Sequence, residues 1–280
     1  MPTDLPLSVW PVAQRTARAQ RSGRYLELSG THPAKMLPAI AQRAIAAYTR
    51  PGDLVLDPMC GIGTTLVEAV HLGRDAIGVE YEEAWADLAR ANVTLARSQG
   101  ATGHAEVVTG DARSLDAIVD PAARGLVSLV VTSPPYGASL HGQVRVRAGQ
   151  GLAKSHDRYS RDPGNLAHQS TENLLFGFTT ILQGCVRLLR PGGFVVVTAR
   201  PWREGGELVD LPAAVLSCGK AAGLLPYERN VTLLAGLRDE NLVPRVSFFQ
   251  LEQVRKARAG GIPLLAIAHE DLLVLRKVPA

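Results

Sequence analysis

Short apolar runs alternate along this chain with longer stretches whose apolar residues recur every three or four positions. The first kind of run predicts buried strands and the second amphipathic helices. Strands are expected at Asp53–Asp57, Asp75–Glu80, Ala105–Thr109, Leu126–Thr132 and Phe194–Thr198. Helices are expected between them at Thr64–Leu72, Glu82–Ser98, Thr171–Leu189 and Leu211–Ala222, several closed by Gly or Pro-Gly stops such as Gly73, Gly100 and Pro191-Gly192. An earlier stripe of Leu37, Ile40, Ile45 and Ala46 predicts one more helix ending at Thr49-Arg50-Pro51-Gly52. Val231–Leu237 and Asp271–Lys277 read as two closing strands. Strand and helix in this rhythm make an α/β fold, a doubly wound and mostly parallel sheet with helices on both faces.

The rhythm divides the chain into an N-terminal arm, residues 1–30, and one domain, residues 31–280. Two stretches break it. Residues 138–170 form a long basic insertion after strand four without a core stripe, read as a structureless, functional loop. Residues 238–261 are a second insertion before the last strand.

Composition narrows the function classes. The chain has 280 residues, 46% of them hydrophobic and only 5% aromatic, which suits a soluble α/β domain better than an aromatic-rich β-sandwich. A net charge of +4 is compatible with a polyanionic partner. The three cysteines, Cys60, Cys185 and Cys218, have no spacing for a zinc site or disulfide framework, so a reducing cytoplasm is expected and no metal is implied. No apolar run is long enough to span a membrane, and the first thirty residues lack the apolar core of a signal peptide.

Two strand ends carry the candidate chemistry. The first strand ends in Asp57-Pro58-Met59-Cys60-Gly61-Ile62-Gly63-Thr64-Thr65. Its glycines allow close backbone approach to a ligand, and the following helix offers unpaired N–H groups. A dinucleotide fingerprint would need glycine where Leu66 stands, so a pyrophosphate is disfavoured. Asp57 suits a cationic or zwitterionic ligand instead. Glu80, at the end of the second strand and beside Tyr81, is placed to accept from two ribose hydroxyls. Asp111, after the third strand and before Ala112, is placed to accept from an adenine amino group.

The second strand end is Thr132-Ser133-Pro134-Pro135-Tyr136. Two prolines stiffen the backbone and remove N–H donors. Ser133 Oγ and the Pro134 carbonyl suit the two hydrogens of an exocyclic amine on a planar heterocycle, and Tyr136 suits stacking on its ring.

Together these two stretches resemble the paired motifs of S-adenosylmethionine-dependent DNA amino methyltransferases, which modify cytosine N4 or adenine N6. His32-Pro33-Ala34-Lys35-Met36 is similar to a further cofactor-contacting motif of that family. The resemblance implies a Rossmann-like methyltransferase fold with seven strands, the last antiparallel, and S-adenosyl-L-methionine as cofactor. Asp57, Gly61 and Gly63 would line its methionine half, Glu80 the ribose and Asp111 the adenine. His32, Lys35, Met59, Cys60, Thr64, Thr65, Tyr81 and Ala112 would complete that site. Ser133, Pro134, Pro135 and Tyr136 would hold the target base, with Ser in the first position leaning toward cytosine N4. Met59-Cys60 departs from the usual Phe before the glycine turn and is also similar to some tRNA guanine methyltransferases.

DNA is therefore the expected partner, flipped out of its stack at the target base. Arg145, Arg147, Lys154, His156, Arg158 and Arg161, with Tyr159, are candidate backbone contacts in the insertion, and Arg200, Trp202 and Arg203 a second set. Arg255, Lys256 and Arg258 read as a solvated helix face. An RNA base methyltransferase is the near alternative, and a non-catalytic nucleic-acid-binding protein a further one. A dehydrogenase is disfavoured by Leu66.

Overall fold

The computed structural model describes residues 6–135, 143–147, 151–155, 162, 164–204, 207–246 and 248–279. In chain order the strands are β1 (Val9–Trp10), β2 (Leu54–Asp57), β3 (Asp75–Glu80), β4 (Ala105–Thr109), β5 (Val127–Thr132), β6 (Gln143–Arg147), β7 (Gly151–Ser155), β8 (Leu189–Ala199), β9 (Trp202–Glu204), β10 (Glu207–Val209), β11 (Leu224–Leu233), β12 (Ala235–Arg238), β13 (Asn241–Pro244) and β14 (His269–Lys277). The helices are α1 (Ala17–Arg21), α2 (Pro38–Tyr48), α3 (Thr64–His71), α4 (Glu83–Ser98), α5 (Leu115–Ile118), α6 (Thr171–Leu188), α7 (Leu211–Ala221) and α8 (Phe248–Ala259). None of the described helices is long and apolar enough to cross a membrane.

One sheet dominates, in the order β1-β11-β14-β8-β5-β2-β3-β4. Only β14 runs against its neighbours; every other adjacent pair in the sheet is parallel. The seven expected strands are thus present with the last one antiparallel, and β1 makes an eighth. A two-residue strand has no readable period, so only its pairing with Val231 and Thr232 reveals it.

The central strands are apolar because both of their faces are covered. On one face Val55, Leu129, Val131, Val196, Leu272 and Val274 pack under α2, α3 and α4. On the other, Leu56, Val130, Val195, Val197, Leu273 and Leu275 meet α5, α6 and α7. Neighbours in sequence therefore serve opposite cores, as a two-residue side-chain period requires.

Several expectations need correction. The stripe on α2 is completed by Ala41 and Ala44, whereas Ala46 is exposed. β11 begins at Leu224 rather than Val231, because a bulge at Pro226–Glu228 and an exposed first half hide its period. Residues 235–238 leave the sheet to pair with β13. The insertion after β5 is not structureless: β6 and β7 form an antiparallel hairpin, and Leu166–His168 is a 3₁₀ turn. Residues 6–30 are tied to the domain. Arg24 donates two hydrogen bonds, of 2.8 and 2.6 Å, to the buried Glu68 carboxylate on α3, and Tyr25 donates a third of 2.7 Å.

Candidate functional site

The chain runs outward in two directions from the middle of the sheet. From β2 it continues to β3 and β4, and from β5 to β8 on the other side. The reversal lies between β2 and β5, where Leu56 pairs in register with Val130. At such a switch point the turns after the two strands diverge and leave a crevice. Here it is a cleft of about 330 Å³ at the carboxyl ends of the strands. That is within the range of small-ligand sites.

The turns after β2, β3 and β4 build one half of the cleft. Asp57 is buried; its Oδ2 accepts from Thr65 Oγ1 at 2.6 Å and its Oδ1 from the Met59 N–H at 3.1 Å. Burial pushes its carboxyl up to about 6, against those two hydrogen bonds. Glu80 is buried as well; its Oε2 accepts from the Gly61 N–H at 2.7 Å and its Oε1 from the Glu82 N–H at 3.0 Å. Burial pushes this carboxyl up to about 7, more than the hydrogen bonds from Glu82 and Gly61 lower it. Two carboxylates in one cleft, with no cationic side chain among the described residues bonded to either, leave room for a ligand's positive charge and hydroxyls.

Gly63 caps α3 in the left-handed conformation, φ 79°. A Cβ there would lie 3.1 Å from Ala89 Cβ, so only glycine lets α3 start against α4. His32 sits behind the turn, its ring edge-on to Trp85 with centroids 4.6 Å apart, and its Nδ1 accepts from the Ala34 N–H at 3.3 Å. Lys35 Nζ donates to the Gly30 carbonyl at 3.1 Å and also to that of His32. Burial, and the nearby Arg21, bring its ammonium down to about 8. Asp111 accepts from the Arg113 backbone N–H and is gripped by the Arg113 guanidinium at 2.6 to 2.9 Å. That grip holds the Asp111 carboxyl below the usual range despite partial burial.

The turns after β5 and β8 and the start of β14 build the other half. Ser133, Pro134 and Pro135 line it beside Thr198, Arg200 and Glu270. The register Asp271–Ala199 puts Glu270 and Arg200 at facing positions one step beyond the paired strands.

His32, Lys35, Asp57, Met59, Cys60, Gly61, Thr64, Thr65, Glu80, Tyr81, Asp111, Ala112, Ser133, Pro134 and Pro135 thus share one cleft. Gly63 lies behind the lining, and Tyr136 falls outside the described residues. The Cys60 thiol is buried, and burial raises it well above its usual range. Of the candidate nucleic-acid contacts, Arg200 reaches the cleft wall, but Trp202 belongs to the core at 7% exposure. His156, Arg158, Tyr159 and Arg161 lie outside the described residues, and Arg145, Arg147 and Lys154 fall on the β6–β7 hairpin. Arg255, Lys256 and Arg258 are exposed on α8, as expected. The sequence reading missed Arg113, Gly164, Asn165, Leu166, Thr198 and Glu270, none of which stands in a recognisable spacing.

Comparison with known proteins agrees with this architecture. Residues 3–91, about a third of the chain, match the model of a family described as DNA methylase, N6/N4 type. Among solved structures, TrmN from Thermus thermophilus is similar with a TM-score of 0.51 and 20% identity over 92% of this chain. The chain spans about half of that protein, 53%. An S-adenosylmethionine-dependent O-methyltransferase from Thermotoga maritima has a TM-score of 0.50 and 14% identity, covering 90% of this chain and 70% of the other. The [4+2]-cyclase SpnF has a TM-score of 0.52 and 16% identity, covering 97% and 98%. Identities this low speak for the fold alone, and a cyclase among the similar structures shows that fold does not dictate reaction.

Proposed function

We propose that this chain transfers a methyl group from S-adenosyl-L-methionine to the exocyclic amine of a DNA base, cytosine N4 in preference to adenine N6; the cleft and the likeness of residues 3–91 to the N6/N4 DNA methylase model support this reading. One observation carries this reading. The buried carboxylates Asp57 and Glu80 and the rigid Ser133-Pro134-Pro135 turn line the same cleft, on opposite sides of the switch point.

The residues present fit the cofactor. Asp57 offers negative charge for its ammonium or sulfonium, Glu80 offers acceptors for ribose hydroxyls, and the glycine turn leaves room for close approach. When bound, S-adenosylmethionine supplies an electrophilic methyl group on a cationic sulfur. Ser133 Oγ and the Pro134 carbonyl oxygen accept the two hydrogens of the target amine. This draws its lone pair out of ring conjugation and aims it across the cleft. As the N–C bond formed, the S–C bond to the methyl group would break and leave S-adenosylhomocysteine, and the cationic amine would lose its proton to solvent by way of the Ser133 hydroxyl, so no strong base is required. Orientation and fixed dipoles account for most of the acceleration.

The lean toward cytosine rests on Ser133 and gains from Arg200. A guanidinium donates well to the adjacent carbonyl and ring-nitrogen acceptors of cytosine, and adenine has no carbonyl. Arg200 lines the cleft that a flipped base would enter. A cytoplasmic enzyme acting on DNA follows from this reading. RNA remains the second substrate to test, because Met59-Cys60 replaces the usual Phe.

The test is nucleoside mass spectrometry after incubation of the purified chain with labelled cofactor and either duplex DNA or transfer and ribosomal RNA. N4-methylcytosine in the DNA arm is expected. Methyl groups only in the RNA arm, or only on adenine, overturn the corresponding part of the proposal.

A further inference from the structure

Toward the end of the insertion, Asp162 and the short segment Gly164–Leu166 bond to three separate parts of the cleft rim. The Tyr81 hydroxyl, after β3, donates to Asp162 Oδ2 at 2.8 Å. Asn165 Nδ2 donates to Glu82 Oε1, at the start of α4, at 3.0 Å. Arg113 Nη2, after β4, donates to the Gly164 carbonyl at 3.3 Å. Gly164, Asn165 and Leu166 all line the cleft.

These bonds continue inward. Glu82, which accepts from Asn165, donates its own N–H to Glu80 Oε1, and Glu80 Oε2 accepts from Gly61. A relay thus runs from Asn165 through Glu82 and Glu80 to the glycine turn. On the other rim, the guanidinium that reaches Gly164 also grips Asp111. One segment therefore braces both the carboxylate suited to ribose and the one suited to adenine. Its own geometry is constrained. Asn165 is 6% exposed, and its Oδ1 caps the following 3₁₀ turn by accepting from the Ala167 N–H at 3.0 Å. Its amide orientation is fixed by donor and acceptor together. Leu166 packs over Gly177 of α6, where a Cβ would stand 2.6 Å from Leu166 Cδ2.

We propose that Asp162 and Gly164–Leu166 form the outer wall of the adenosine subsite, with Asn165 and Arg113 as positioning residues that set Glu80 and Asp111 for the cofactor. The inference rests on the S-adenosylmethionine reading and adds to it a wall drawn from the far end of the substrate insertion. Cofactor and insertion then share a structural element, and binding at one side is felt at the other by linkage.

Calorimetry on the full chain with S-adenosylhomocysteine and with 5′-methylthioadenosine tests this. Asn165→Asp keeps the capping oxygen, loses the donor and faces Glu82 with like charge. It should weaken both ligands alike, by about tenfold, the size of a lost hydrogen bond to a charged group. Arg113→Lys, which keeps charge without the fork, should also weaken both. Adding Glu82→Gln to Asn165→Asp reverses the donor and acceptor and should recover affinity, which a general loss of folding would not allow. Asp57→Asn should weaken S-adenosylhomocysteine and spare 5′-methylthioadenosine, which lacks the amino acid. If the wild type binds both ligands and Asn165→Asp and Arg113→Lys stay within twofold of it, the wall is overturned while the cofactor reading stands. If the wild type binds neither, the cofactor reading falls and the wall with it.

Discussion

Glu80 Oε2 lies 2.7 Å from the backbone nitrogen of Gly61, so the end of β3 holds the turn that follows β2. The carboxylate is 2% exposed and accepts a second backbone N–H, from Glu82. It therefore shapes the glycine turn before any ligand arrives. Replacing Glu80 with Ala removes both acceptors and any bond to ribose. Each charged hydrogen bond is worth about 1.5–3 kcal/mol, and S-adenosylhomocysteine affinity should fall by at least about tenfold. Calorimetry showing an unchanged Kd would remove Glu80 from the cofactor site.

The raised carboxyls give a pH dependence of definite sign. Asp57 titrates near 6 and Glu80 near 7 in the folded chain, both above their usual range because of burial. The folded state thus binds more protons than the unfolded one between about pH 4 and pH 7, and their contribution to stability is lost as pH rises through that window. A cationic ligand beside Asp57 favours the ionised form. S-adenosylmethionine should therefore bind more tightly at pH 7.5 than at pH 5.5, with proton release that calorimetry in buffers of different ionisation enthalpy detects. Affinity falling across that interval would contradict the placement of positive charge at Asp57.

Gly63→Ala forces a side chain into the left-handed region at φ 79° and against Ala89. The backbone penalty alone is about 1–2 kcal/mol. Denaturant unfolding should show a lower midpoint with an unchanged slope, and cofactor affinity should drop because the start of α3 shifts. A midpoint equal to wild type would mean that the turn has another low-energy conformation.

Arg24→Ala leaves the Glu68 carboxylate buried with Tyr25 as its remaining side-chain donor. Removing a partly exposed donor from a buried carboxylate costs about 1–3 kcal/mol. The expected readout is a large fall in the unfolding midpoint, and Arg24→Lys should recover only part of it. If Arg24→Ala is neutral, residues 6–30 contribute little to the domain they touch.

Ser133→Ala separates the two halves of the cleft. If Ser133 accepts from the target amine as proposed, its loss should slow turnover by about tenfold or more. Binding of S-adenosylhomocysteine should stay within twofold. Equal losses in both would place Ser133 on the cofactor side.

The strands that pack on both faces were legible because burial leaves a continuous apolar run. Asp75–Glu80 and Ala105–Thr109 match the expected bounds to the residue. Asp57, Glu80 and Asp111 were legible as candidates because each closes such a run. Trp202 misled because an aromatic beside two arginines reads as a surface contact, while here it fills the core. β11 was half hidden because its Pro226–Glu228 bulge breaks the alternation.

Local order in the chain, one residue's preference and its neighbours' spacing, is enough to specify an alternating α/β sheet, a glycine turn, a diproline turn and the acids at the strand ends. Such features depend on backbone sterics and on burial repeated every few residues. Spatial closure is what brought Asn165 to Glu82, 83 positions apart, Gly164 to Arg113, and Arg24 to Glu68. These contacts leave no period or spacing behind, because each joins residues far apart in sequence that only the assembled sheet and its helices bring together.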